Sequence, residues 1–445
     1  MLLRVGSLAL AGRRRVAGLL GLEWLRLGPL DLAVPVAAAV TVWDGSSQLG
    51  RQVGPLPFWV AWIGLSVVLA GLLRRTVGRS SRTLVVALLA QVLALWLLYD
   101  LLYLLQGGHL YDLEVYLGSA QRWLDGGHAY MSSPLASWPD SPRDDFFLYP
   151  PPLLPFFGLL ARLPDPLVSF AWTVAMVACG YVAFRLLGLP RGWSAAMLAF
   201  PPVLVGFESG NVASLTFLLF VAGARAGGAL VLDTVFKVQT GVPVLWLLRE
   251  RRVGGILAGC AATVAIVVAT LPIVGLDAWR EWWAGLGYRA ASQAAVPALY
   301  GYSYAKDVPG AIYVAVSIGL VAVALAFRGR RSLAALGLAS IYASPTLWPH
   351  GFAFALPAVL LLENEVAVLA VLGGGAIGRN MWLLFFAGWA AVFAERRAPA
   401  GALHPTAGKD GPWPIRTPFA RSAQLVHNRA ASWRPRHQGQ VREEP

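Results

Sequence analysis

Six side chains, most of them flanked by apolar sequence, have types that suit group transfer: Asp112, Asp145, Tyr149, Asn211, Lys237 and His350. Asp112 lies in His109-Leu110-Tyr111-Asp112-Leu113-Glu114-Val115-Tyr116. A carboxylate placed at a membrane boundary and facing a cavity can take a proton from a hydroxyl. Asp is also a favoured helix N-cap, and this one precedes a helical pattern, so position alone leaves both roles open. Lys237 sits in Thr234-Val235-Phe236-Lys237-Val238-Gln239-Thr240. As a compact point charge it can hold a phosphate, or it can snorkel to an interface. Asn211 ends the break Glu208-Ser209-Gly210-Asn211, and His350 ends Ser344-Pro345-Thr346-Leu347-Trp348-Pro349-His350. His350 reads either as a site residue or as a hydrogen-bonded loop histidine. Ionisable residues at membrane depth are costly and by default suggest function.

The elements that must hold these residues are set by composition. The chain has 445 residues, 57% hydrophobic and 13% charged, with mean hydropathy +0.61. A soluble globular domain carries about 25% charged residues. Half that charge over this length excludes a soluble single-domain enzyme and a disordered chain, leaving an all-α protein with many membrane spans. The net charge of +13 comes from 36 Lys+Arg against 23 Asp+Glu. Only Lys237, Lys306 and Lys409 are lysines. Arginine-rich loops then read as cytoplasmic edges, not as a nucleic-acid surface. Cys179 and Cys260 lie in apolar runs with no disulfide or zinc spacing. Walker, dinucleotide, paired CxxC and HExxH patterns are absent from the sequence. Any activated donor would therefore arrive from the membrane.

The hydropathy pattern gives an N-terminal segment over 1–55 with a short first span near 29–43, then spans at 56–73 and 83–105. Arg74, Arg75, Arg79 and Arg82 lie between the last two and place that loop in the cytoplasm. Residues 106–166 then form a large external loop. Leu113, Tyr116, Leu117, Ala120 and Leu124 recur at helical spacing within it. They predict an amphipathic helix on the outer surface, ended by Gly126-Gly127. Asp144 and Asp145 precede Phe146-Phe147-Leu148-Tyr149-Pro150-Pro151-Pro152. The prolines predict extended backbone, followed by a re-entrant segment over 153–160. Later spans fall at 167–188, 192–206, 211–229, 230–248, 253–275, 309–327, 332–347 and 350–394. The last is broken at Glu363-Asn364-Glu365, and 230–248 dips in and returns. Several are shorter than the roughly 20 residues a bilayer needs, which suits helices that wall a cavity. The core therefore covers 56–397, and 398–445, rich in Pro, Arg and Ser, reads as a disordered cytoplasmic tail.

In this order the motifs resemble the polytopic glycosyltransferases of family 87, a GT-C group. It includes mycobacterial mannosyltransferases that depend on polyprenyl-phosphate mannose. The resemblance rests on Asp112, Tyr116, Gly126 and Tyr130; on Phe147-Leu148-Tyr149-Pro150-Pro151; and on Gly210-Asn211. It continues through Lys237 with Pro243 and Arg249 to Arg252, then Ser344-Pro345, Trp348 and His350. Leu113 stands where the family often has an aromatic, Asn211 takes a Gln-type position, and the Lys237-to-Pro243 spacing is longer than usual.

The resemblance implies a GT-C membrane domain of roughly 10–12 spanning or re-entrant helices, working on the external face of the plasma membrane. The donor would be a polyprenyl-phosphate sugar, mannose before arabinose, and the acceptor a glycolipid or glycan. Neither a metal nor any cofactor is required. Asp112 would be the base, and Lys237 with His350 would steady the leaving phosphate. Tyr116, Asp145, Tyr149 and Asn211 would line the substrate cavity. A transporter or flippase for lipid-linked sugars is the competing expectation, since broken helices and midplane polar residues suit it too.

Overall fold

A computed structural model of the chain describes residues 110–135, 147–189, 191–362, 365–376 and 378–395. The three spans expected before residue 106, the site candidate Asp145, Glu363-Asn364 and the tail lie outside the described residues.

The described residues are helical throughout, with a single isolated parallel bridge between Gly301 and Leu347. α1 (Tyr111–Leu124) is the expected amphipathic helix, burying Leu113, Val115, Tyr116 and Ala120. It ends at Asp125, with Gly126 at φ 80. Asp112 does not cap it: Leu110 occupies the N-cap and no side chain closes that end. The capping reading is thereby corrected, and the Asp112 carboxylate is free for other partners. The proline run is also tighter than expected. Pro150 is extended, but Pro151–Leu153 already forms a 3-10 turn that feeds α2 (Leu154–Leu160). Prolines are tolerated in a first helical turn because those N–H groups have no helical partner.

α3 (Asp165–Leu186) is 22 residues long with hydropathy 1.9. At 1.5 Å per residue it reaches about 33 Å, enough for a bilayer core. Among the described residues, the other helix long and apolar enough to cross a membrane is α9, described below. The segment expected at 192–206 is broken into α4 (Arg191–Ala196), a 3-10 turn, and α5 (Pro201–Glu208). Next come α6 (Ala213–Gly223), α7 (Gly228–Phe236), a 3-10 stretch (Val238–Val244) and α8 (Leu245–Arg249). So the 230–248 segment is interrupted at Lys237, which is extended at φ −142 and ψ 114.

α9 (Val253–Ala295) runs 43 residues, with its axis broken at Gly275, φ 70 and ψ 171. Its second half, beyond the expected end at 275, packs on the segments around His128 and Leu148. α10 (Gly310–Ala326) and α11 (Gly329–Ala343) follow. A 3-10 stretch (Pro349–Ala355), α12 (Leu356–Val359), α13 (Glu365–Gly374) and α14 (Trp382–Ala394) complete the described chain. Leu257, Val264 and Val268 on α9 and Ile312 and Ile318 on α10 are exposed. Such an apolar outer belt is stable against lipid and unfavourable against water.

Two features fix α7, which leads into Lys237. α7 packs on α6 and on the first half of α9. The α7–α9 crossing is close because Gly228 and Gly259 meet without side chains. A Cβ on Gly259 would lie 2.5 Å from the Val231 Cβ and 2.8 Å from the Gly228 carbonyl oxygen. Small residues permit this backbone approach in apolar surroundings. Gly259→Val should therefore force the helices apart, costing about 1–3 kcal/mol by overpacking. A lower Tm in detergent is the expected result, and an unchanged Tm would show that the contact is not tight.

The arginine edges have a structural task. Arg252 donates to the Ala224 and Arg225 carbonyls just past α6, at 2.6 and 2.9 Å. Arg249 donates to Leu325 at the end of α10, and Arg331 to Val392 at the end of α14, each at 2.8 Å. Cations at helix C-termini satisfy free carbonyls and the helix dipole. These arginines thus cluster at one edge, and Asn211 lies before α6, at its opposite end.

Candidate active site

The turn between α5 and α6 meets the start of α1. The Asp112 N–H donates to the Ser209 carbonyl at 2.6 Å. Gly210 makes the approach possible: it has φ +68, and a Cβ there would lie 2.8 Å from the Leu113 Cβ. Trp172 on α3 locks the turn from behind, its indole N–H donating to the Gly210 carbonyl at 2.8 Å.

Asn211 therefore faces Asp112. Its Nδ2 donates to Asp112 Oδ2 at 2.8 Å, while its Oδ1 accepts from Lys237 Nζ at 2.9 Å. The amide has one orientation that serves both, with NH2 toward the carboxylate and the carbonyl toward the ammonium. Lys237 Nζ is also 3.4 Å from His350 Nε2. Asp112, Asn211, Lys237 and His350 form one connected row, although α1 and His350 are more than 200 residues apart in sequence. Asn211 and His350 are buried, at 6% and 7% exposure, whereas Asp112 and Lys237 remain partly accessible.

Tyr116 lies one turn along α1 from Asp112, and its hydroxyl pairs with that of Tyr149 at 2.8 Å. The rings meet edge to face, with centroids 4.9 Å apart. Tyr130 donates to the Tyr149 carbonyl at 3.0 Å, and Trp282 on α9 donates to the Leu148 carbonyl at 3.0 Å. His128 bonds Glu281 at 2.8 Å. The second half of α9 so clamps the aromatic segment against α1.

His350 is placed by the segment before it. Tyr302 N–H donates to the Leu347 carbonyl and Leu347 N–H to the Tyr300 carbonyl, at 2.7 and 3.1 Å. Ser303 Oγ donates to the Ser344 carbonyl at 2.7 Å, and Gln293 on α9 reaches Thr346 Oγ1 at 2.6 Å.

Burial raises the Asp112 carboxyl above its ordinary range, opposed by the Asn211 hydrogen bond and by the Lys237 charge. A raised carboxylate is a stronger base. Burial also pushes the Tyr116 and Tyr149 phenols up, so both stay protonated, and one donates to the other. Of the expected site residues, the structure brings together Asp112, Tyr116, Tyr149, Asn211, Lys237 and His350. Sequence reading missed Trp172, Trp282 and Asp233. Asp233 had a visible signal, an acid four positions before a lysine in an apolar run. The tryptophans had none, because each acts through a backbone carbonyl distant in sequence.

Residues 147–343 match the sequence pattern of glycosyltransferase family 87, so Asp112 and Tyr116 precede the matched stretch and His350 follows it. The chain is also similar to the polyprenol-phosphate-mannose-dependent alpha-(1-2)-phosphatidylinositol mannoside mannosyltransferase of Mycobacterium tuberculosis. The two are 27% identical over 298 residues, 56% of this chain and 69% of the relative. No solved structure matches the chain. By this match the chain is similar, over residues 147–343, to the family 87 glycosyltransferases, a family of membrane enzymes.

Proposed function

We propose that the protein transfers a sugar, in the first place mannose, from a polyprenyl-phosphate donor to a glycolipid or glycan hydroxyl at the outer membrane face. The observation that carries this reading is the row Asp112–Asn211–Lys237–His350, with a carboxylate base at one end and the Lys237 ammonium beside His350 at the other. The relative's dependence on polyprenol-phosphate mannose supports the donor class. The site lies at the end of α6 opposite the arginine edge, and arginine edges favour the cytoplasm, which supports an external site.

Asp112 takes the proton of the acceptor hydroxyl. The acceptor oxygen attacks the anomeric carbon as the bond to the phosphate oxygen breaks. The sugar inverts, and polyprenyl phosphate leaves with the electron pair and one more negative charge. Negative charge thus disappears at Asp112 and appears at the phosphate. A fixed cation stabilises the new charge without reorganising solvent, and Lys237 fills that role with His350 beside it. Asn211 holds base and cation apart, so that neither neutralises the other by direct pairing. Tyr116, Tyr149 and, from the segment before it, Asp145 border the substrate. The membrane domain has 10–12 spanning or re-entrant helices by this reading.

The test is purified protein supplied with radiolabelled polyprenyl-phosphate mannose or arabinose and a glycolipid acceptor, followed by product separation. Transfer from the lipid donor is the expected result. Transfer from a sugar nucleotide alone would overturn the donor, and movement of intact donor across vesicles without transfer would favour a flippase.

The acid limb of the pH profile should belong to Asp112. Activity needs its ionised form, so activity falls as pH drops through its raised range. Asn211 stabilises that ionised form by a hydrogen bond. Asn211→Leu removes it, and should move the acid limb to higher pH by about one unit, the size of a charge-assisted hydrogen bond. A limb that stays in place, measured on kcat/KM, would separate Asp112 from the rate.

A further inference from the structure

One large aromatic side chain beside the row has no part in this scheme. Trp348 is 39% exposed, against 7% for His350 two positions on. Two residues span at most about 7 Å of backbone, so Trp348 stands at the His350 end of the row. The segment that carries it is firmly held. The main chain of Leu347 is bonded on both sides, to Tyr300 and Tyr302, and the Trp348 carbonyl accepts the Gly351 N–H at 2.9 Å. Gly301 sits against this segment with φ +60. A Cβ on Gly301 would collide with the Leu347 carbonyl oxygen and come within 3.4 Å of Trp348 Cδ2. A bare glycine therefore backs the indole.

The face on which the indole stands is set by alternation. Leu347 is buried at its bridge to Gly301, so Thr346 and Trp348 turn to the opposite, more accessible side. Thr346 Oγ1 accepts from Gln293 Nε2 at 2.6 Å. A hydroxyl that accepts in this way keeps its own proton to donate elsewhere. An indole and a hydroxyl donor thus share one face next to His350.

That pairing suits a sugar ring better than a lipid tail, which has no use for a hydroxyl. The chair of mannopyranose turns its C3 and C5 hydrogens to one face, an apolar patch that packs on an aromatic ring, while most hydroxyls leave at the rim. A furanose ring is smaller and carries hydroxyls on both sides.

We propose that Trp348 is a sugar-binding residue: beside the Thr346 hydroxyl, its indole takes the apolar face of the transferred hexopyranose and selects it over a furanose. The proposal rests on the donor phosphate lying at Lys237 and His350. The sugar is bonded to that phosphate, which puts its ring within reach of the neighbouring indole.

The experiment separates sugar, phosphate and lipid. Dissociation constants are measured on the full chain in detergent for three ligands with the same polyprenyl chain: the mannopyranosyl phosphate, the arabinofuranosyl phosphate and the bare phosphate. In Trp348→Ala the mannosyl donor should bind about tenfold more weakly, the scale of one lost aromatic contact. The bare phosphate should bind as it does to the parent. The arabinofuranosyl donor should lose less than about threefold, so that the preference for mannose shrinks. Trp348→Leu, which keeps an apolar body without a flat ring, should show the same pattern, and Trp348→Phe should recover most of the loss.

An equal loss for the mannosyl donor and the bare phosphate overturns the proposal, because the indole then holds the lipid or its phosphate. An equal loss for the two sugars overturns the selection of ring type. An unchanged constant for the mannosyl donor places Trp348 outside the sugar site. A parent that binds none of the three ligands removes the lipid donor itself, and the proposal falls with the reading beneath it.

Discussion

Asp112→Asn should leave a folded protein that binds its donor and transfers sugar about a thousandfold more slowly, within the span usual for loss of a general base. The fold should survive because the new side chain keeps a carbonyl oxygen where Asn211 Nδ2 now donates. The backbone bond from residue 112 to the Ser209 carbonyl is also untouched. What disappears is the one partly accessible carboxylate in the row. Tyr116 and Tyr149 cannot replace it, because burial keeps their phenols protonated. Initial rates at saturating donor and acceptor, with donor affinity measured separately, are the check. A rate within tenfold of the parent would remove Asp112 as the base.

Lys237→Gln should lower donor kcat/KM about a hundredfold or more, the usual cost of losing one group that meets charge developing in the transition state. Its effect should fall on the donor and spare the acceptor KM. Gln can still donate toward Asn211 Oδ1, so the loss reports charge more than packing. Lys237→Arg should recover only part of the rate, because a planar guanidinium does not fill the place of a point ammonium. Donor titrations at fixed acceptor decide the matter. A donor KM and kcat unchanged in Lys237→Gln would take Lys237 out of the site.

These substitutions act on residues that were visible before the fold. Asp112, Asn211, Lys237 and His350 stand out because a polar group inside an apolar run is costly and needs a reason. The amphipathic α1 was equally legible, since Leu113, Tyr116, Ala120 and Leu124 repeat at helical spacing. Helix breaks were harder to read. The 253–275 expectation stopped at Gly275, yet helix resumes through 295 and clamps the Tyr149 segment. An apolar window detects a span by its hydropathy, and Asp277, Arg280 and Glu281 lower that signal without ending the helix.

The sequence by itself determined the helical character found in the described residues, and which polar residues are too costly to be accidental, because hydropathy and periodicity are local properties. Tertiary structure alone decided that Asp112 leaves the helix cap empty and turns to Asn211, and that the same amide reaches Lys237. Hydrogen-bond partners are chosen by proximity and direction across helices, and that choice depends on packing such as Gly210 against Leu113 and Gly259 against Val231.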